Sequence, residues 1–164
     1  MAPAERRDLV LWAAGFIDGE GTISLKYDRT HNIWRPFVAA AQVQTEPLHR
    51  LKDLFHGSVS SHGGGTNAPV WQWRVQDTRA ITVIKELRPF LVCKKRQAEL
   101  MMEFAKIHRS GTRWSPFTDG ERKLRESYVK AFKALNSVSG ESWQIIDSNN
   151  PTVIQSEMRF LEGV

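Results

Sequence analysis

The chain has 164 residues, enough for one domain with a substantial hydrophobic core. Lys and Arg outnumber Asp and Glu by 23 to 18, and this net charge of +5 favours a polyanionic partner without identifying one. The single cysteine, Cys93, excludes an internal disulfide framework and a cysteine-based zinc site. The sequence has neither an apolar run of about 18 residues nor an apolar signal core, so we expect no membrane span. We therefore expect an intracellular protein that is not secreted, in a prokaryotic cytoplasm or inside an organelle.

The first predicted helix covers Glu5–Asp18 and contains the start of the most informative run of the chain, WAAGFIDGEG at residues 12–21. Gly15 and Gly19 are four residues apart, on one face of the helix, where a second helix can approach the backbone closely. Glu20 lies between two glycines and projects a carboxylate from the helix end. An ordinary surface helix with a glycine cap is the alternative, but such ends favour Lys or Arg rather than acids. The run therefore indicates a functional site.

The elements after this helix alternate between strands and a second helix. Two strands with alternating apolar and polar residues flank a hairpin-like loop at residues 28–36. A helix from Pro47 to His56 precedes a third strand at Ser58–His62. A glycine-rich turn at residues 63–69 leads into a fourth strand that ends at Gln76.

Helices complete the predicted order. Asp77 or Thr78 caps a helix that continues to Leu87. Two further helices cover Lys95–Arg109 and Asp119–Asn136. The WAAGFIDGEG run occurs once, and the chain shows no internal repeat.

This order of elements, an α-β-β-α-β-β-α core followed by two further helices, predicts an α+β fold with a four-stranded antiparallel sheet and helices on one face. We expect a single domain over residues 1–164. Its core would span about residues 5–136, and residues 137–164 would form a loosely assigned C-terminal tail.

The two faces of the predicted sheet differ in polarity. The apolar positions are Ile23, Leu25, Tyr27, Phe37, Ala39, Ala41, Val43, Trp71, Trp73 and Val75. The polar positions are Ser24, Lys26, Asp28, Gln42, Gln44, Ser60, His62, Gln72, Arg74 and Gln76. A solvated sheet face is the commonest reason for such a pattern. Gln and Arg are, however, the residues that bond the edges of adenine and guanine, and a two-stranded ribbon fits the major groove.

Two segments resemble the LAGLIDADG homing endonucleases. Residues 13–21, AAGFIDGEG, match the family motif position by position, with Glu20 where the family more often has Asp. Residues 89–98, PFLVCKKRQA, resemble the family's P-[FY]-L-x-x-K-x-x-Q-A stretch. The resemblance covers about Leu9 to Leu135 and implies the α-β-β-α-β-β-α core of that family, with the sheet as a DNA-binding saddle.

By this resemblance, Lys94 corresponds to the active-site lysine and Arg96 to a neighbouring phosphate contact. Cations at a helix N-terminus are mildly unfavourable, so the run at residues 94–96 independently suggests an anionic neighbour. Gln44 most resembles the glutamine near the family's scissile phosphate, and Gln42 remains the alternative. Asp18, the first acid of the motif, is expected to support the helix end.

The resemblance also implies a metal and a dimer. Glu20, with the backbone carbonyl near Gly19, would hold Mg²⁺, and Mn²⁺ or Ca²⁺ would occupy the same site. A double-strand break needs two hydrolytic centres, and the chain has one motif helix, so we expect a homodimer. Ala13, Ala14, Gly15 and Gly19 would pack against their copies across the two-fold axis.

The implied function is that of an intron-encoded, site-specific DNA endonuclease. It would make metal-dependent double-strand breaks in a long, nearly palindromic duplex and leave 3′ overhangs, with the polar strand positions and Arg96 on the DNA. Two alternatives stay open: an RNA maturase that assists splicing of its own intron RNA, and a DNA-binding regulator that has lost the chemistry. The target sequence cannot be read from the chain.

Overall fold

A computed structural model describes residues 3–62, 69–108 and 117–137. The chain divides into two compact units, residues 1–113 and residues 114–164. None of the helices in these ranges combines the length and the apolar character that a membrane crossing requires.

The first unit is an α+β fold, and its order of elements is the predicted one. Its elements are α1 (Pro3–Glu20), β1 (Gly21–Asp28), β2 (Ile33–Gln42), α2 (Glu46–Phe55), β3 (Ser58–His62), β4 (Val70–Gln76), α3 (Asp77–Leu87), a 3-10 turn (Arg88–Phe90) and α4 (Lys95–Ile107). The four strands form one antiparallel sheet in the order β1-β2-β4-β3. The predicted fold class is confirmed.

The second unit contains α5 (Asp119–Asn136), with the predicted bounds. A capping box begins this helix: Thr118 Oγ1 accepts from the backbone N–H of Glu121, and the Glu121 carboxylate accepts from the backbone N–H of Thr118. Arg125 is buried, and its guanidinium lies 4.1 Å from the centre of the Phe117 ring. Phe117, one residue before the cap, therefore packs against the buried Arg125 of the same helix.

One face of the sheet packs into the core. Val38 on β2 pairs with Ile23 on β1 and with Val75 on β4, and all three are buried. Ala40 pairs with Trp73, which has no solvent exposure. The prediction that Trp73 and Val75 face the core while their polar neighbours face the other way is confirmed, because strand residues alternate between faces.

The predicted orientation of β2 is wrong by one residue. Phe37, Ala39 and Ala41 lie on the face of Gln76, Arg74 and Gln72, their Cα partners, rather than on the core face. Gln42 consequently lies on the core side, opposite Trp71, and not on the polar face. Val43 follows the strand and is exposed. Residues 37–41 are apolar or small at every position, so the sequence of this segment does not determine which residues face the core. The pairing of β2 with β1 and β4 determines it instead.

Two glycines allow close turns at the ends of helices. A Cβ on Gly21 would lie 2.5 Å from the carbonyl oxygen of Ile17, so only glycine fits where α1 passes directly into β1. Gly57 follows α2 with φ +96°, and a Cβ there would lie 2.5 Å from the carbonyl oxygen of Arg74. The turn at Gly21 comes directly after Glu20, so α1 ends two residues beyond its predicted end.

Candidate functional site

Glu20 is the last residue of α1, and its side chain is exposed. Among the described residues it makes no hydrogen bond or ion pair. An exposed carboxylate that no cation in the described ranges neutralises is available to a ligand. The predicted projection of Glu20 from the helix end agrees with this arrangement.

Asp18 connects the end of α1 to the start of α4. Its carboxylate accepts from the backbone N–H of Val92 at 2.6 Å and from that of Lys94 at 3.0 Å. In return, Lys94 Nζ donates to the backbone carbonyl of Asp18 at 2.5 Å. Asp18 is thus structural, as expected, and it brings Lys94 to the helix end that carries Glu20.

The two candidate glutamines lie near the same end of the sheet. Gly21 pairs with Ala40, so the antiparallel register places the residues after Ala40 beside the end of α1. Gln42 ends β2 and is half-buried opposite Trp71, whereas Gln44 lies in the following bend and is exposed. Gln44 is therefore the more accessible of the two, and its catalytic role stays a prediction.

The described residues of one protomer do not by themselves form a complete metal site. In the described residues, no group of three or more His, Cys, Asp and Glu side chains could hold a metal ion. Glu20 offers one unneutralised carboxylate, and carbonyls of the last helical turn near Gly19 have no intrahelical partner. Hard oxygen donors fit Mg²⁺, which commonly takes one or two carboxylates and completes its shell with water and phosphate. The oxygen donors at this helix end are therefore of the type that Mg²⁺ accepts.

The open face of α1 differs from the predicted interface. Gly15 and Gly19 are exposed, and a Cβ on either would meet nothing within 4 Å. Leu11, one helical turn before Gly15, is 42% exposed despite being apolar. Ala13 and Ala14 are instead buried in the core of the protomer, because positions 13 and 14 point to the other side of the helix. Their prediction as dimer contacts is wrong for this conformation, while that for the glycines stays a prediction.

The polar sheet face exists, with fewer members than predicted. The register gathers on it Ser24, Lys26, Asp28, Ser60, Gln72, Arg74 and Gln76. His62 pairs with Val70 at the end of β3. Gln42 lies on the opposite face, and Gln44 lies beyond the end of β2.

Small residues flank the longer side chains in the middle of this face. Arg74 has Ala39 and Ser58 as its neighbours across the strands, and Arg74 Nε donates to Ser58 Oγ at 3.3 Å. Gln72 lies between Ala41 and Ser60. Side chains with short neighbours project from the sheet and can reach a ligand.

Asp28 is not free to bind a ligand. Arg35 Nε donates to its carboxylate at 2.7 Å, and His31 Nδ1 lies 2.8 Å from the same oxygen. The Arg35 hydrogen bond, followed by that of His31, holds the pKa of Asp28 well below its usual range. Arg35 also binds Asp77, the first residue of α3. Gln76 occupies the N-cap position, so the prediction that Asp77 or Thr78 caps this helix is wrong. The prediction of Asp28 as a DNA contact is not supported by these bonds.

Sequence reasoning missed the role of Arg35. The pairing of Arg35 with Lys26 places it on the polar face. Burial favours a lower pKa for Arg35, but Asp28 and Asp77 outweigh it, so its pKa is raised. The signal was present in the alternation of β2, which places Arg35 beside Phe37 once the phase is correct. Arg96 is half-buried in the first turn of α4, close in sequence to Lys94.

No protein-family model matches the sequence, and no curated protein matches it. Solved structures do match. The homing endonuclease I-CvuI in complex with its target gives a TM-score of 0.65 at 16% identity over 98% of both chains. The archaeal intron-encoded homing endonuclease I-Vdi141I complexed with DNA gives 0.59 at 16% identity, over 93% of this chain and 96% of that one.

A third neighbour is longer. The LAGLIDADG meganuclease I-CpaMI bound to uncleaved DNA gives a TM-score of 0.57 at 14% identity, over 93% of this chain but 49% of that one. Agreement with these two homing endonucleases over most of both chains extends the resemblance from the motif to the fold. The chain has the fold of the LAGLIDADG homing endonucleases.

Proposed function

We propose that the chain is a LAGLIDADG homing endonuclease, a site-specific DNA endonuclease of the single-motif type. The observation that carries this proposal is the end of α1, where unneutralised Glu20 lies two residues after Asp18 and Asp18 holds Lys94. A carboxylate that binds a metal and an ammonium that stabilises a phosphate are groups that metal-assisted phosphodiester hydrolysis uses. Two solved neighbours with this fold, I-CvuI and I-Vdi141I, are homing endonucleases in complex with DNA.

A homodimer would complete the site. The chain covers 98% of I-CvuI but only 49% of I-CpaMI, and this difference in length supports a protein with one copy of the motif that works as a pair. Gly15 and Gly19 leave the open face of α1 without side chains, which permits a second α1 to approach it. Two Glu20 carboxylates would then lie near the two-fold axis, one for each strand of the duplex.

Each residue at the helix end would have a separate task. Glu20 and the carbonyl near Gly19 would hold Mg²⁺, which when bound orients water and offsets charge at the phosphate; Mn²⁺ or Ca²⁺ fits the same donors. Lys94, held by Asp18, would stabilise negative charge on the phosphate in the transition state. Gln44 would position solvent near the scissile bond. Arg96 would contact a neighbouring phosphate.

The polar sheet face would lie in the major groove. Gln72 and Arg74 carry the side chains that bond adenine and guanine edges, and they project above small neighbours. A two-fold axis implies a long, nearly palindromic target, and cleavage across the minor groove would leave 3′ overhangs. No described feature favours the maturase alternative, and the intact Glu20, Gln44 and Lys94 argue against a regulator without chemistry.

The test is cleavage of a randomised duplex library in Mg²⁺, followed by sequencing of the ends. We expect one family of nearly palindromic sites with staggered ends. Glu20→Gln keeps the shape but removes the charge, so cleavage should fall by orders of magnitude while binding persists. Asp53→Asn, at an exposed acid of α2, is the matched control and should cut normally. Normal cutting by Glu20→Gln would exclude Glu20 as the metal ligand, and an uncut library would refute the nuclease.

A further inference from the structure

A cleft of about 830 Å³ lies at the end of the sheet opposite to Glu20. It is formed by the end of β1, the turn after it, the start of β3 and the start of α3. Its charged lining consists of five cations and two carboxylates. The cations are Lys26, Arg29, Arg35, Arg74 and Arg79. The carboxylates are Asp28 and Asp77.

Both carboxylates are bound by the same cation. Arg35 donates to Asp28 at 2.7 Å and also binds Asp77, and its side chain is only 15% exposed. His108 Nε2 lies 2.8 Å from the second oxygen of Asp77. The acids of the cleft therefore neutralise Arg35 and leave its other four cations uncompensated.

The four remaining cations meet neutral groups or solvent. Arg74 donates to the Ser58 hydroxyl, and Lys26 Nζ lies 5.5 Å from the centre of the Phe37 ring. Arg29 and Arg79 are exposed, and neither forms a hydrogen bond or ion pair with any residue in the described ranges. An open cleft with this excess of positive charge attracts an anion.

The two ion pairs of Arg35, with Asp28 and Asp77, form a bridge that also fixes the rim of the cleft, which carries Arg29 and Arg79. Asp28 Oδ1 accepts from the backbone N–H groups of Thr30 and His31, at 3.0 and 3.3 Å, and so holds the turn that carries Arg29. Arg79 belongs to the first turn of α3, which Asp77 ties to Arg35. The two exposed cations thus project from elements that one guanidinium joins.

The position of Arg29 and Arg79 at the rim points to the sugar-phosphate backbone of DNA as the ligand. Arg29 lies in the turn and Arg79 on a helix, so neither is among the strand positions of the polar face. Gly21 and Asp28 are the ends of β1, and a strand of that length spans about 23 Å at 3.3 Å per residue. Phosphates of one DNA strand follow each other about every 3.4 Å, so this length corresponds to about seven base pairs.

We propose that the cleft is a phosphate clamp for the outer end of each half-site. Arg29 and Arg79 contact the sugar-phosphate backbone of the duplex about seven base pairs from the Glu20 end, and Lys26 and Arg74 add positive potential. The ligand class is a phosphodiester of duplex DNA. This inference rests on the proposed function, because it assumes that DNA lies along the polar sheet face.

The test uses the duplex recovered from the library, bound in Ca²⁺, with single neutral methylphosphonates at each backbone position. For the wild type we expect a loss of affinity at a cluster of positions about seven base pairs from the centre of the cut. The double variant Arg29→Gln/Arg79→Gln should no longer respond to those substitutions. Its salt slope should fall by about two units, about one for each lost contact, with unchanged base preference.

The control is the double variant Lys52→Gln/Lys85→Gln, which removes two exposed cations from α2 and α3. It should keep the wild-type methylphosphonate profile. A wild-type profile and salt slope in Arg29→Gln/Arg79→Gln would overturn the clamp, as would loss of discrimination at a single base pair. Either result leaves DNA binding intact. Failure of the proposed function is a different outcome, in which no target is selected from the library by the wild type.

Discussion

Lys94 and Asp18 bind each other in both directions. The Lys94 ammonium donates to the backbone carbonyl of Asp18 at 2.5 Å, and the backbone N–H of Lys94 donates to the Asp18 carboxylate at 3.0 Å. The loop before α4 is thereby attached to the last turn of α1, two residues before Glu20. The position of the ammonium relative to Glu20 therefore depends on the charge of Asp18.

Asp18→Asn tests this dependence. The amide keeps one acceptor oxygen but loses the charge that strengthens both hydrogen bonds to the loop. Because hydrogen bonds to charged groups contribute about 1.5–3 kcal/mol each and one acceptor remains, we expect the free energy of unfolding to fall by about 1–3 kcal/mol. Cleavage should fall more than DNA binding. Urea unfolding and single-turnover cleavage measure the two effects, and unchanged cleavage would refute a positioning role.

Lys94→Met separates the lysine from its support. The change keeps the length of the side chain and removes the charge near the scissile phosphate, so cleavage should fall while binding is largely kept. In Asp18→Asn/Lys94→Met the second change should cost much less than it does alone, since both act through one ammonium. Additive losses would show that Asp18 stabilises the helix end without positioning Lys94.

Gly15→Leu tests the dimer. Inside the protomer a Cβ at Gly15 meets nothing within 4 Å, and leucine is a better helix former than glycine by up to about 1 kcal/mol. The isolated fold should therefore tolerate the change, whereas a second α1 packed on this face should not. Sedimentation is expected to show a wild-type dimer and a variant monomer that makes no double-strand breaks. Gly120→Leu, at an equally open position on α5, should remain dimeric. A wild-type monomer that cuts both strands would contradict the symmetric site.

Asp28→Asn tests the Arg35 bridge through pH. The folded pKa of Asp28 lies below its unfolded value of about 3.9, so its contribution to stability is present above that value and is lost as pH falls through the folded pKa. The variant should be less stable than wild type by a constant amount between pH 5 and 8, and the difference should shrink below about pH 4. Urea midpoints measure it, with Asp53→Asn as a control that should show little difference at any pH. A difference in urea midpoint that persists unchanged at pH 3 would show that the ion pair is not its cause.

The sequence predicted the order of the elements and the projection of Glu20 from the end of α1, because each depends on local signals. The glycines around Glu20, the alternation in β4 and the KKR run at residues 94–96 are all short-range patterns. The orientation of β2 and the burial of Ala13 and Ala14 depend on neighbouring elements instead, since small apolar residues fit either face. The ion pairs of Arg35 with Asp28 and Asp77 could not be predicted without the strand register, because Asp77 is 42 positions away from Arg35 in the sequence.

Arg74→Ala tests whether the sheet face reads bases. Arg74 projects between Ala39 and Ser58 on a strand, in contrast to Arg29 and Arg79 at the rim of the cleft. A strand side chain in the major groove can form a bidentate contact with guanine, whose loss costs about 1–3 kcal/mol of discrimination. We therefore expect Arg74→Ala to relax preference at one base pair in each half-site.

The measurement is cleavage of all single-base variants of the selected target by the wild type and by Arg74→Ala. The flattened positions should be mirrored across the two-fold axis, because the same residue of each protomer meets each half-site. Arg29→Gln/Arg79→Gln serves as the contrast, since phosphate contacts weaken all sequences alike. Uniform weakening by Arg74→Ala would instead make it a backbone contact and extend the phosphate clamp onto the sheet face. A change confined to one half-site would point to an asymmetric assembly, in conflict with two equivalent Glu20 carboxylates at the axis.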